Sequence, residues 1–285
     1  MASLPAYDDY QSSFHEAFRR ELHRLLDALP VAANGRVIDV PCGNGFYSRR
    51  LAERLGTGAR LHAVDASEEY LTLTRAALAE VPTRAEVEVR RADAYHLPYP
   101  DASFDLVWCA QSLISLDVMP AVREFRRLTK ADGATAILEV DEFHHVLLPW
   151  PVELEAALPQ AIHAACLRRY GDGAKLSPAR RLRPVLRRCG FGSVRRLTHS
   201  AERAAPFDRE TGDFLARHCA FLREFAYPHL PDCHRPAFDR MTDADAADSL
   251  FRSPDAEFVC LSTVHLARPT AAVERDRRSG TVAGV

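Results

Sequence analysis

Several things are missing from this 285-residue sequence, and each absence removes a class of protein. Neither sign of charge is in excess: 37 basic residues stand against 39 acidic ones, a formal charge of −2. No global field exists to gather a polyanion, so nucleic acid is not an expected partner. A basic array interleaved with aromatics and an Asn-Pro-Pro-Tyr signature are also lacking. No apolar run approaches the roughly 18 residues of a membrane span, so no membrane partner is expected. The opening Met1-Ala2-Ser3-Leu4-Pro5-Ala6 has neither a basic nor an apolar leader segment, which speaks against a secretory signal. Seven cysteines, at 42, 109, 166, 189, 219, 233 and 260, include no CxxC pair and are odd in number. Reduced thiols in the cytoplasm explain them better than a disulfide framework. His218-Cys219 and His229-x-x-x-Cys233-His234 fit no zinc spacing, so no metal is expected.

What is present is organised around residues 37–48. Val37-Ile38-Asp39-Val40 is an apolar strand pattern reaching an acid. Pro41-Cys42-Gly43-Asn44-Gly45 is a tight turn, and Phe46-Tyr47-Ser48 leads into a helical pattern. A strand feeding a helix through glycines brings backbone N–H groups close to a ligand over the strand end. This turn is therefore expected to hold a nucleoside-containing cofactor.

From residue 36 onward strands and helices alternate: strands at 36–40, 60–64, 86–90, 104–109 and 134–140, helices at 47–55, 67–80 and 119–128. This pattern predicts a parallel sheet covered on both faces. Its ligand belongs over the carboxyl ends of the strands. Those ends carry Asp39, Asp65-Ala66, Asp93-Ala94, Cys109-Ala110-Gln111 and Glu139. Ahead of this core, 13–29 reads as one amphipathic helix, and Tyr7-Asp8-Asp9-Tyr10 as either a frayed end or a flap over the cofactor. Beyond 141 helices are expected at 152–170, 178–189 and 208–228, and strands at 193–199 and 257–266.

Gly43-x-Gly45 with an acid about 20 residues on also fits a dinucleotide site, but Ser48 stands where that fingerprint has Gly or Ala. Residues 37–45, the stretch Ala92-Asp93-Ala94 through Phe104-Asp105-Leu106-Val107, and Leu128-Thr129-Lys130-Ala131-Asp132-Gly133 together resemble the class I S-adenosylmethionine-dependent methyltransferases, small-molecule branch. The resemblance covers about 36–141. It implies a Rossmann-like α/β fold, a seven-stranded mostly parallel sheet with its last strand antiparallel. The core would be 36–141, the N-terminal helical cap 1–35 and the helical substrate-cap inserts 142–189 and 208–245, all one domain to 268, with a disordered tail at 269–285.

The resemblance also implies the donor S-adenosyl-L-methionine, leaving as S-adenosyl-L-homocysteine. Asp39 would lie near the methionine ammonium, Asp65 with Ala66 at the ribose, Asp93 with Ala94 at the adenine. Cys109, Ala110 and Gln111 would line the methionine side, with Tyr10 closing over it. Pro41 departs from the family glycine and lacks an N–H, placing more of the contact on Gly43, Asn44 and Gly45. The expected reaction is methyl transfer to an O or N, less readily a C, of a small metabolite, of natural-product type by association with an Arg- and Ala-rich composition. A non-methylating cyclase on the same fold is the alternative, and an NAD-dependent oxidoreductase the remote one. His144, His145 and His15 are the candidate bases, since histidine titrates near neutral pH. The chain is expected to act as a monomer or homodimer.

Overall fold

The computed structural model describes residues 9–141 and 145–270. Five strands, β1 (Arg36–Asp39), β2 (Arg60–Asp65), β3 (Glu86–Arg91), β4 (Phe104–Ala110) and β5 (Thr129–Val140), run parallel in the order β3-β2-β1-β4-β5. Consecutive apolar residues along them go to opposite faces. Val37, Leu106 and Leu138 belong to the core on one side, while Ile38, Val107 and Ile137 belong to the core on the other. A sheet buried on both faces needs this double set, which is why its strands read as continuous apolar runs. The crossovers are α3 (Phe46–Arg54), α4 (Glu68–Ala79) and α5 (Val118–Leu128).

The sheet is completed by β8 (Glu257–Pro269), antiparallel to β5 from Val140 facing Ser262 to Thr135 facing Ala267. The other edge of β8 carries β7 (Phe191–Ala204) along nearly its whole length. A short β6 (Val146–Leu148) continues the line of β5 and pairs with Val259, Phe258 and Glu257. The described residues thus contain the expected antiparallel last strand plus one additional short strand. The apolar Val146-Leu147-Leu148 forms it because β8 outruns β5 and leaves backbone groups to be paired. Pro269 is buried at the end of β8 rather than starting a tail, and positions 271–285 lie outside the described residues.

The N-terminal helix is two helices, α1 (Asp9–Ala17) and α2 (Arg19–Asp27). They meet at Phe18, whose backbone (φ −117°, ψ 18°) leaves the helical region. The Phe18 ring is fully buried, 4.9 Å from Phe14 and 5.4 Å from Phe214, with the Arg203 guanidinium over it at 4.7 Å. Tertiary packing outweighs continuous helix here. The inserts supply α6 (Val152–Tyr170) and α7 (Ala179–Arg188), then α8 (Arg209–Phe225) and α9 (Arg235–Met241). No helix among the described residues is long and apolar enough to cross a membrane.

Asp105, part of the pattern that carried the family resemblance, sits at the start of β4, away from the carboxyl ends of the strands. Its carboxylate accepts from the Arg36 N–H at 2.7 Å and from Lys130 Nζ at 2.8 Å. It ties β1 and β5 to β4 and has no place in a ligand site.

Candidate active site

The turn after β1 is shaped by glycine and clamped from two sides. Gly43 (φ +55°) and Gly45 (φ +83°) occupy the left-handed region, where a Cβ is strained. Asp65 Oδ2 accepts from the Gly43 N–H at 3.0 Å, and the Gly43 carbonyl accepts from Thr74 Oγ1 at 2.7 Å. A Cβ on Gly45 would lie 2.9 Å from Thr74 Cα. Gly45→Ala is therefore expected to cost about 2–3 kcal/mol from the positive φ and the overlap together. Urea unfolding measures it, and a loss below about 0.5 kcal/mol would mean the turn relaxes freely.

Asp65 ends β2. Its second oxygen accepts from the Ser67 N–H at 2.9 Å, and Ser67 in turn caps α4. The carboxylate is buried, and desolvation raises its pKa while the backbone hydrogen bonds hold it down. A carboxylate offers about four acceptor positions, so two remain for a diol. Asp93 follows β3 with its Oδ1 on the Tyr95 N–H at 3.0 Å. Gln111 follows β4 with φ +49°, an uncommon value for a residue with a Cβ. Its Oε1 accepts from Tyr47 Oη at 2.7 Å and pairs with His15 Nε2 at 2.7 Å.

These groups surround a cavity of about 470 Å³, within the usual range for small-molecule sites. One end is polar: Gly43, Asn44, Asp65, Ala66, Asp93 and Ala94 line it, with Pro41 beside them. The other end is apolar, walled by Ile114 and Leu116 from the loop after β4, Tyr170 and Leu176 from the first insert, and Phe221 and Phe225 from α8. The last two rings stack at 5.3 Å and 13°. Arg169 and Glu224 stand at the exposed rim. The α1 helix forms a roof through Tyr10, Gln11, Phe14 and His15. Glu139, at the end of β5, contributes a buried carboxylate that accepts from the Leu113 N–H.

The structure brings most sequence-identified residues together but moves several. Asp39, Gly45 and Cys109 lie behind the cavity wall. Asp39 turns under the sheet to take the Ser48 hydroxyl, and burial pushes its pKa up to about 7. Cys109 points into the core against α5, and burial raises its thiol pKa well above the ordinary value. Gly45 is covered by Thr74. His145 is carried away from the cofactor end because the chain turns at once into β6. Its ring lies 5.4 Å from Phe258 and 5.2 Å from His218, beside a separate cavity of about 50 Å³. His144 lies outside the described residues. His15 does line the main cavity, stacked 4.1 Å from Phe46, but burial lowers its pKa to about 4. A neutral imidazole so weakly basic does not suit it to take a proton near pH 7. The signal for Tyr47 and Phe46 was present in the glycine-turn stretch. Tyr170 and Leu176 lie in the 142–189 insert expected to cap the substrate, but no sequence signal singled out either residue. Trp150, in the first insert, borders the small cavity, and Phe214 on α8 is core.

The polar residues suit the chemistry of S-adenosylmethionine: carboxylates are the partners its ribose diol and cationic groups call for, and the Gly43 turn leaves backbone open to a ligand. Among the described residues, no group of three or more His, Cys, Asp or Glu side chains is placed to hold a metal.

The profile of a family described as Methyltransferase domain matches residues 38–137. The 27-O-demethylrifamycin SV methyltransferase of Amycolatopsis mediterranei (strain S699) is 31% identical over 228 residues, 79% of this chain and 76% of that protein. A demethylmenaquinone methyltransferase of Lactobacillus johnsonii is 30% identical over 42% of this chain, which spans about half (49%) of that relative. A solved structure of a methyltransferase-like protein from Bacillus halodurans C-125 superposes with a TM-score of 0.53 at 16% identity, over 88% of this chain and 99% of that one.

Proposed function

Because the chain belongs to the class I S-adenosylmethionine-dependent methyltransferases, we propose that it moves the methyl group of S-adenosylmethionine to an oxygen or nitrogen of a largely apolar, ring-bearing metabolite. The observation that carries this reading is the division of one cavity into an acid-lined end and an aromatic end, with its α1 roof resting on α8. Oxygen is favoured as the acceptor atom. The relative that aligns with most of this chain acts, by its name, on 27-O-demethylrifamycin SV. The same likeness, with seven cysteines and no disulfide among the described residues, supports a cytoplasmic enzyme of secondary metabolism.

S-adenosylmethionine supplies an electrophilic methyl on a sulfonium and leaves as a neutral thioether. The remaining work falls to this chain. Asp65 receives the ribose hydroxyls on the lone pairs that Gly43 and Ser67 leave open. Asp93 and Ala94 border the adenine, while Asn44 and the Gly43 backbone border the methionine. Gln111, held by Tyr47 and His15, would fix part of the wall on the methionine side of the bound donor. Tyr170, Leu176, Phe221 and Phe225 seat the acceptor and exclude water. Orientation of this kind supplies a large part of the rate in a displacement reaction.

Incubation with S-adenosylmethionine and a panel of hydroxylated naphthoquinones, polyphenols, macrolactones and arylamines tests the reading by mass spectrometry. One acceptor should gain a single methyl in step with S-adenosylhomocysteine. No methylated product from any of them would overturn the small-aromatic reading. An acceptor altered without gaining mass would identify a rearrangement instead.

A further inference from the structure

His218 was set aside as a metal ligand, and no step above uses it. It lies on α8 and is almost wholly buried, at 2% exposure. Its Nδ1 is 3.0 Å from the hydroxyl oxygen of Tyr10, whose ring lines the main cavity. The two rings stack at 5.9 Å and 23°, and Phe221, also on α8, stacks on Tyr10 at 5.3 Å. On its far side His218 meets His145, ring to ring at 5.2 Å. Both histidines border the small cavity, together with Glu155. A core histidine needs a hydrogen bond, and any carbonyl would serve. This one is bonded to a phenol at the substrate cavity and backs onto a second cavity holding a carboxylate and another imidazole.

We propose that Tyr10 and His218 form the route by which the acceptor's proton leaves, Tyr10 as the catalytic residue and His218 acting through it. The inference rests on the reading of this cavity as the methyl-transfer site. With Nδ1 unprotonated, His218 accepts the Tyr10 hydroxyl hydrogen, and the Tyr10 oxygen keeps lone pairs for an acceptor hydroxyl. As the acceptor O–H bond breaks, its electron pair forms the new C–O bond. The S–CH3 bond breaks and its pair stays on sulfur. Tyr10 takes the acceptor's proton while passing its own to Nδ1, so Tyr10 remains neutral and His218 becomes imidazolium. That proton then passes to water by way of His145 and Glu155. Among the described residues, the charged and titratable groups around this route include those two, Cys219 beside His218 on α8, Glu224 and Arg169 at the cavity, and the Asp9–Arg217 ion pair at the rim, 3.1 Å across α1 and α8. His15 does not compete, since its Nε2 is committed to Gln111.

Two variants test it. Tyr10→Phe removes the hydroxyl, while His218→Asn keeps an acceptor near the Nδ1 position but takes no proton. With a phenolic acceptor from the panel, both should lower kcat roughly 10²–10³-fold, as for loss of a positioned proton acceptor. KM and the calorimetric affinity for S-adenosylmethionine should stay within about threefold of the wild type. The defect should shrink as pH approaches the phenol's own pKa of about 10, where the acceptor ionises unaided. A merely structural role would give a loss that is constant with pH. Unchanged kcat in Tyr10→Phe, a pH-independent loss in both variants, or a wild-type enzyme that methylates only amines overturns the proposal. A wild-type protein that methylates nothing in the panel overturns the functional reading instead.

Discussion

Replacing Asp65 by alanine should weaken S-adenosylmethionine binding by roughly 10²–10³-fold, read by titration calorimetry. The carboxylate holds the Gly43 and Ser67 N–H groups at 3.0 and 2.9 Å. Losing it strands two donors beneath the cofactor, at about 1–3 kcal/mol for each left unsatisfied. The proposed ribose contact is lost as well. Part of this penalty falls on the apoprotein, since the Gly43 turn loses its clamp. The apo melting temperature should therefore fall too, and the ligand-induced rise in melting temperature should fall further. Asp65→Asn keeps one acceptor and should lie between alanine and wild type. Affinity within twofold of wild type in Asp65→Ala would remove Asp65 from the cofactor site.

The second large effect concerns Asp39, which lies behind the cavity wall. Burial pushes its pKa from an ordinary 3.8 up to about 7. Below about pH 4 the group is protonated whether the chain is folded or not, and its burial carries no ionisation cost. Between pH 4 and 7 the unfolded chain ionises Asp39 while the folded chain keeps it protonated. The folded state loses about 1.4 kcal/mol for each pH unit, roughly 4 kcal/mol in all by pH 8. Asp39→Asn has no proton to lose and can still take the Ser48 hydroxyl. Its stability relative to wild type should therefore climb by several kcal/mol from pH 4 to pH 8 in urea unfolding. The difference between the two proteins is the quantity to follow. Carboxylates such as Asp105 and Glu124, held below their ordinary pKa by partners in the fold, pull both curves the other way. A difference that is flat with pH would show that Asp39 is not protonated in the folded protein.

Asp39 also shows where sequence reasoning reached its limit. The strand, the turn and the acids at strand ends were legible because a parallel sheet forces apolar runs to stop where polar residues begin. The pattern cannot say to which side a strand-end acid turns. Asp65 lines the cavity because the Gly43 and Ser67 N–H groups hold its carboxylate at the glycine turn. Asp39 turns away from the cavity because the Ser48 hydroxyl, in the first turn of α3, donates to it. Helices α3 to α8 fall within a few residues of where periodicity put them. The split at Phe18 was invisible, because the spacing of Phe14, Phe18 and Leu22 is helical throughout and the break serves the packing of Phe18 on Phe214 and Phe258. His145 was misplaced for a related reason. Its neighbours Val146, Leu147 and Leu148 form a strand only because β8 extends past β5, a length that local sequence does not encode. The apolar end of the cavity gathers Ile114, Tyr170, Leu176 and Phe225, far apart in the chain, and single-sequence patterns hold no record of such meetings.

The last strand among the described residues, β8, is paired along both edges. A ribosome delivers β1 to β5 and the glycine turn long before it delivers Glu257. While both inserts are being made, the outer edge of β5 stays open, and an open edge is a template for pairing with other chains. Pairings so distant in sequence also form slowly. Helix α8 waits on the same event, because Phe214 and His218 rest on the Phe258 ring, at 5.5 and 6.0 Å. The nascent protein thus acquires its cofactor-binding half first, and its acceptor half only when the final strand slides into place.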